Sequence, residues 1–368
     1  LYILNFKQLF VGAKKAFFGL DIGSSSVKII QLHRNDRGYE VTAAARTEIK
    51  HSKEEDSRER RGNVIAAIRK CFRNTRARTK YAVCGVSGPD VAIRSFEIPS
   101  PPDGQLEDAL VSEAGQVCPF DLDYSIVDYQ IIGSGPAKPA TQSSQVQVSA
   151  RNEKTSGILV AATVEVIRKK LQLVKNAALK CVLIDVDGLA LLNCFLELEE
   201  LQPGQAVAIL NIGELFTNLV VHKDSALPVI RDIPYASKTI IDEFSVEQSI
   251  SRAYAYDILY NTQNTEQQSN GIRKSLRNAC EKLIIDIAET LRYYTVQCNT
   301  AVDKVLVCGG FAQARGLIDL LNTELPTNVM LWNPLHKVEI DAAVPDSESI
   351  RENGPSMAVA FGLAMRNI

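Results

Sequence analysis

The chain carries no excess of either charge. Forty-one Lys and Arg oppose 43 Asp and Glu, a formal net charge of −2. There is thus no basic field to draw in nucleic acid. Its eight cysteines (71, 84, 118, 181, 194, 280, 298 and 308) include no C-x-x-C pair, and most lie inside apolar runs. They read as buried free thiols in a reducing compartment, not as a disulfide framework or a zinc site. The four histidines show no mutual spacing that would suggest a metal. No run reaches the roughly 18 apolar residues of a membrane-spanning helix. The opening LYILNFKQLFVGAKKAFF is interrupted by Lys7, Lys14 and Lys15, too basic for the apolar stretch of a signal peptide. It reads either as a short interfacial helix or as a tail, loose or packed on a neighbour.

What is present is enough for two cores, since 46% of the 368 residues are hydrophobic. Residues 16–32 and 39–48 pattern as meander strands. A charged run, HSKEEDSRERRG (51–62), leads to a helix with Val64, Ile65, Ile68, Cys71 and Phe72 on one face. YAVCGVSG (81–88) is a buried strand ending in a glycine turn, and SPPDG (100–104) starts a new unit. Strand patterns at 91–99, 125–133 and 158–163 follow, with a flexible insertion, GSGPAKPATQSSQVQ, between the last two. KCVLIDVDGLALLNCFLEL (180–198) reads as strand then helix. Residues 238–260 read as two helices with a capping-box signature at Ser245 and Gln248. TQNTEQQSNG (262–271) is a polar loop, and a long helix face follows from Leu276 to Tyr294.

One local pattern occurs twice. LDIGSSSVKII (20–30) aligns with LNIGELFTNLV (210–220), and each heads one half of the chain. The duplication predicts two similar lobes facing one cleft. A tight glycine turn exposes successive backbone N–H groups as an anion nest. Ser24, Ser25 and Ser26 add hydroxyl donors, Lys28 offers a point charge for phosphate, and Asp21 is placed to hold Mg²⁺ through water. A third glycine turn, Gly309–Gly310, lies between a strand and a helix. Three such turns from two lobes suit a nucleotide better than three unrelated turns.

These features resemble the actin, sugar-kinase and DnaK nucleotide-binding superfamily. The matching pieces are D-x-G-S-x-x-V-K at 21–28, N-x-G-x-x-x-T at 211–217 and VLVCGGFAQARG at 305–316. From Phe17 onward the chain is more closely similar to the PilM family, FtsA-like cytoplasmic proteins of type IV pilus assembly. GLDIGSSSVKIIQL, VCPFDLDYSIVDYQ, LIDVDGLALLN, LNIGELFTNL, RDIP, TLRYY and LVCGGFAQARGLIDLL occur in the order that family shows. The resemblance implies an α/β, actin-like, duplicated ribonuclease H-like fold of two lobes with an inserted FtsA/PilM-type subdomain. It implies ATP and Mg²⁺ as ligands. Gly23, Ser24, Ser25, Ser26, Lys28, Gly213 and Thr217 would meet phosphate, with Gly309, Gly310 and Glu289 at the adenosine and Asp21 and Asn211 at the metal through water. Asp187, opening the helix after VLIDV, matches the position that orients an attacking water. An acid there is equally a favourable helix cap.

The departures point away from fast hydrolysis. Asn211 stands where hydrolysing relatives carry aspartate, and Glu214, Leu215 and Phe216 are bulky for a phosphate turn. The expectation is a weak ATPase at most. The expected division is a tail at 1–15, a first lobe from 16–90, 181–202 and 353–368, an inserted subdomain at 91–180 and a second lobe at 203–352. The implied role is an ATP-binding scaffold at the cytoplasmic face of the inner membrane. It would dock the short cytoplasmic amino-terminal peptide of a PilN-like protein, with self-association left open. The alternatives are an FtsA-like division protein, disfavoured because an apolar helix closes the chain with no anchor after it, and a small-molecule kinase, for which no substrate motif is found.

Overall fold

The computed structural model describes residues 2–3, 16–36, 38–51, 56–102, 104–136, 153–224, 226–260 and 270–366. Most of the tail read at 1–15, the insertion beyond Pro136 and the polar loop from 261 to 269 lie outside them. The first half of the chain runs β1 (Tyr2–Ile3), β2 (Phe18–Ile22), β3 (Ser26–Asn35), β4 (Gly38–Glu48), α1 (Ser57–Thr75), β5 (Tyr81–Val86), β6 (Val91–Pro99), α2 (Leu106–Val117), β7 (Ser125–Pro136), β8 (Glu153–Thr163), α3 (Val164–Asn176), β9 (Lys180–Val186) and α4 (Asp187–Leu198). The second runs β10 (Ala206–Ile212), β11 (Thr217–Lys223), β12 (Val229–Ile233), α5 (Ser237–Glu247), α6 (Arg252–Tyr260), α7 (Asn270–Cys298), β13 (Lys304–Cys308), α8 (Leu317–Glu324), β14 (Asn328–Leu331), β15 (Glu339–Ile340), α9 (Ser347–Glu352) and α10 (Ala358–Ala364).

Three sheets form. The first has order β15-β4-β3-β2-β5-β9, the second β12-β11-β10-β13-β14, and the third β1-β7-β8-β6. The first two repeat one plan. A glycine-turn hairpin (β2–β3, β10–β11) pairs antiparallel, a third strand continues antiparallel, and two strands join in parallel on the other side. The duplication read in the sequence is thus a duplication of sheets. β15 pairs with β4, so the chain has already returned to the first sheet at Glu339.

Two helices, α4 and α10, lie between the sheets. One apolar cluster runs from Ile30, Val41 and Val83 of the first sheet, through Leu191, Phe195 and Phe361, to Val207, Ile209 and Val220 of the second. The outer face of the first sheet packs on α1 and α3 through Leu20, Ile29, Ile68 and Val174. The outer face of the second packs on α5 to α8. The third sheet packs against α2 through Phe96, Leu110 and Leu159. Strand alternation supplies both faces of each main sheet, which is why their strands are apolar nearly throughout. All eight cysteines are free thiols, five of them buried.

Two expectations need correction. The charged run at 51–62 is not a lead-in, because α1 already starts at Ser57. The Asp56 carboxylate accepts from the N–H groups of Arg58 and Glu59 and caps it. The helices α5 and α6 are not joined by a capping box at Ser245. That hydroxyl donates back to Asp242 O inside α5, Ser249 takes a left-handed φ of 55°, and Ser251 Oγ accepts from Tyr254 N. A side chain that bonds its own preceding turn cannot cap the next helix.

The tightest approach is that of α10. A β-carbon on Gly362 would lie 1.8 Å from Ala190 O of α4, and one on Gly19 would lie 2.0 Å from Ala360 O. Both neighbours are backbone and cannot swing away. Gly362→Ala is therefore expected to lower unfolding free energy by about 3 kcal/mol or to prevent folding. Urea unfolding of the variant, checked against Gly62→Ala in an open position, tests it.

Candidate functional site

The two hairpins come together around Asp187, which lies within electrostatic reach of Asp21 in the first and of Asp232 beside the second. In the first, Gly23 N donates to Ser26 O at 3.1 Å and closes the turn, and a β-carbon on Gly23 would sit 3.1 Å from that same oxygen. Ser24 is half-buried, Ser25 exposed and Ser26 buried. Ile49 N donates to Ser25 O at 2.8 Å, and an Arg60 guanidinium nitrogen donates to Ser24 O. Antiparallel register sets Asp21 opposite Lys28, and Lys28 Nζ donates to Asp21 Oδ2 at 2.9 Å with both side chains buried.

The second hairpin repeats this geometry without charge. Asn211 is opposite Asn218, and Asn211 Nδ2 donates to Asn218 Oδ1 at 2.7 Å. Asn218 Nδ2 then donates to Asp232 Oδ1 at 2.7 Å. Asp232 Oδ2 accepts from Gly88 N of the first lobe at 2.6 Å. The Phe216 ring lies on the same turn, 3.1 Å from where a Gly88 β-carbon would stand. The bulky turn that looked ill-suited to phosphate therefore makes a contact between lobes. Glu214 is directed toward Arg252, with 4.0 Å between their charged atoms.

Asp187 is the first residue of α4 and lies half-buried, with its carboxylate over Gly85. Its Oδ2 accepts from Ser87 Oγ at 2.6 Å. Burial, then the charge of Asp21, raise its pKa to about 7, against the opposing pull of Lys170 and the Ser87 hydrogen bond; Asp232 raises it further. Lys170 Nζ also donates to Ile22 O at 3.4 Å, so a second ammonium stands at the first turn. Burial likewise raises Asp232, opposed by the hydrogen bonds from Gly88 and Asn218. Partly buried carboxylates gathered in this way favour a bound cation.

The third turn forms as expected. Gly309 has φ 97°, and a β-carbon there would lie 2.6 Å from Asn211 Oδ1. Gly310 opens onto free space, with nothing within 4 Å of its would-be β-carbon. Tyr260 Oη donates to Gly310 O at 3.0 Å and stacks on Tyr256 with ring centroids 4.4 Å apart. Tyr256 is 49% exposed, and its hydroxyl lies within electrostatic reach of Glu48 and Arg46 of the first lobe.

The structure thus brings Asp21, Gly23, Ser24, Ser25, Lys28, Asp187, Asn211, Gly213, Gly309 and Gly310 to these turns. It does not expose the Thr217 hydroxyl. Thr217 is fully buried and donates to Tyr235 O at 2.8 Å. It occupies the hairpin position of Val27, also fully buried, because both face the core side of their strands. Glu289 is exposed on α7, and its buried neighbour Thr290 accepts from Arg231. Asn211 Nδ2 is committed to Asn218, leaving its oxygen beside Gly309. Ser87, Lys170, Asp232, Arg60, Tyr256 and Tyr260 were not singled out from sequence as site residues; Asp232 lies in the RDIP segment, but nothing in that segment alone aims it at the cleft. Among the described residues no group of three or more His, Cys, Asp or Glu is spaced as a protein-only metal site. Asp21 and Asp187 alone fit a hydrated Mg²⁺ that completes its shell with phosphate and water.

Two lobes built on duplicated glycine-turn hairpins around a carboxylate-bearing cleft define the actin-like ATPase fold. The family model described as type IV pilus assembly protein PilM matches residues 19–368, and the chain belongs to that family. A chain of a PilM–PilN type IV pilus biogenesis complex superposes with TM-score 0.76 at 24% identity, covering 96% of this chain and 98% of that one. The ethanolamine utilization protein EutJ from Carboxydothermus hydrogenoformans gives TM-score 0.52 at 14% identity, covering 95% and 89%. A diol dehydratase-reactivating factor, in nucleotide-free form, gives 0.51 at 11%, covering 95% and 99%.

The Asp187 environment sets a pH dependence. Unfolded, this carboxyl loses its proton near pH 4, whereas folded it holds the proton to about 7. The folded state therefore binds more protons between these values, and stability falls as pH rises across that window. Asp187→Asn is expected to melt higher than the parent at pH 8 and to lose that advantage at pH 4. Mg²⁺ is expected to stabilise the parent at pH 8 and to leave the variant unchanged. Thermal melts at the two pH values, with and without Mg²⁺, check both.

Proposed function

We propose that this PilM-family chain is an ATP-binding scaffold of a type IV pilus inner-membrane complex with little or no turnover. The observation that carries nucleotide binding is the pair of carboxylates, buried Asp21 and half-buried Asp187, beside Lys28 and between glycine turns. The Gly23–Ser25 turn would present its backbone and hydroxyl donors to the terminal phosphates. Lys28 would exchange part of its bond to Asp21 for a phosphate oxygen, freeing that carboxylate for hydrated Mg²⁺. Gly213 would face these groups from the second lobe, and Gly310, open on its outer side, would lie under the ribose. The bound magnesium would supply charge neutralisation.

Hydrolysis needs both metal charge and an ordered water. Asp187 is the group placed to accept a proton from such a water. The second lobe, however, replaces a metal-facing carboxylate with the amide pair Asn211–Asn218. The cleft would therefore hold ATP with its lobes latched and use it as a structural ligand.

The likeness to a PilM–PilN complex supports a PilN-like partner. The short cytoplasmic tail of that membrane protein would dock beside the third sheet and hold the chain at the membrane's inner face. No helix among the described residues is long and apolar enough to cross a membrane, consistent with attachment through a partner.

Calorimetry with Mg-ATP is expected to show saturable binding that weakens at least about tenfold, a change of about 1.4 kcal/mol, in Lys28→Ala. Phosphate release should stay far below the roughly 1–100 per second of kinases. Equal ATP affinity in a folded Lys28→Ala would remove the nucleotide from this cleft, and kinase-like turnover would replace the scaffold reading with an enzyme.

A further inference from the structure

The third sheet ends on the chain's own beginning. β1, at Tyr2–Ile3, pairs in parallel with Ile126–Val127 of β7. β7 is otherwise bonded only on its inner side, to β8. Beyond Val127 its outer edge has no strand partner among the described residues. Edge strands are usually protected by lysine, proline, shortness or a bulge. Here SIVDYQII (125–132) has neither lysine nor proline, and the register shift comes only after Ile131. Tyr124 precedes the stretch and Ile132 ends it, 73% and 55% exposed. This is a long, regular, apolar edge left open for pairing.

We propose that the β7 edge is a strand-docking site that the chain's own amino-terminal segment fills, and that an extended partner tail binds by displacing it. The displacement half rests on the partner reading given above, whereas the self-docking half does not. The segment LYILNF is rich in residues that favour a strand. A two-residue strand offers few ladder bonds against the cost of ordering the chain that makes them, so it is held weakly. The backbone from Ser125 to Ile131 can serve a longer strand with more bonds, which gives an incoming tail the advantage. The incoming tail takes the direction of β1, parallel to β7. The amino terminus thus covers an edge that would otherwise invite a second copy of the chain, and sets a threshold that a partner must exceed.

The test uses the full chain. Tyr2 and Ile126 are register partners, so Tyr2→Cys with Ile126→Cys should form a disulfide under diamide, which takes up the two thiol protons and two electrons. The off-register pair Tyr2→Cys with Gln130→Cys should not. Peptide mapping by mass spectrometry separates these bonds from the native thiols. A labelled synthetic LYILNFKQLF peptide is then titrated by fluorescence anisotropy. Tyr2→Pro with Ile3→Pro should bind it at least about tenfold more tightly than the parent, because the tethered strand can no longer compete. The locked disulfide form should not bind it. An unlabelled PilN-type tail should displace the peptide. Equal cross-linking of the two cysteine pairs, or equal peptide binding by locked and proline forms, overturns self-docking. A tail that binds the locked form as well as the proline form overturns displacement alone, whatever the result with Mg-ATP.

Discussion

The arrangement of the cleft depends on one carboxylate shared between lobes. Asp232 accepts from Gly88 N on one oxygen and from Asn218 on the other. Asn218 is in turn held by Asn211, which borders Gly309. A single chain of short hydrogen bonds thus runs from Gly88 of the first lobe through Asp232 and Asn218 to Asn211, whose side chain borders the third glycine turn. Each member is at least partly buried, so each bond is worth more than it would be in water and is costly to leave unmade. Opening the lobes would break the Gly88 N–H bond to Asp232 and leave that oxygen to water.

The same network separates the two hairpins chemically. Identical backbone register gives Asp21–Lys28 in one and Asn211–Asn218 in the other. The ionic pair can be redistributed by an incoming charged ligand. The amide pair has no charge to trade and is already tied to the neighbouring lobe. The duplicated scaffold therefore has one responsive half and one fixed half. That asymmetry is what the proposal of a nucleotide held but scarcely cleaved rests on.

Much of this was legible in the residues. The repeated L-x-I-G hairpins announced two lobes of one plan, and D-x-G-S-x-x-V-K set Asp21 and Lys28 around one turn. Thr217 was misread because a motif letter was taken for a ligand. Its position in the repeat is that of Val27, and strand parity sends both side chains inward. Ser87, Lys170 and Asp232 were invisible for a different reason. They reach the cleft from separate strands and helices, and only tertiary packing brings them to Asp187. The amino-terminal residues read as a tail or an interfacial helix, because a strand that pairs with an edge more than a hundred residues away leaves no periodic trace of its own.

The position of α10 has a consequence for biosynthesis. Gly19, near the start of the first lobe, is shaped to meet Ala360, near the far end of the chain. As the polypeptide leaves the ribosome, the inner face of β2, β3 and β5 emerges early, but the helix that covers it comes last. The third sheet and the second lobe can close on residues that are already made. The first lobe cannot, and its apolar face stays bare while the rest of the chain is translated. Such late closure, across contacts of very long sequence separation, slows folding and exposes a surface that chaperones recognise. The lobe carrying the responsive half of the cleft therefore becomes native only after the elements between β5 and α10 have been made.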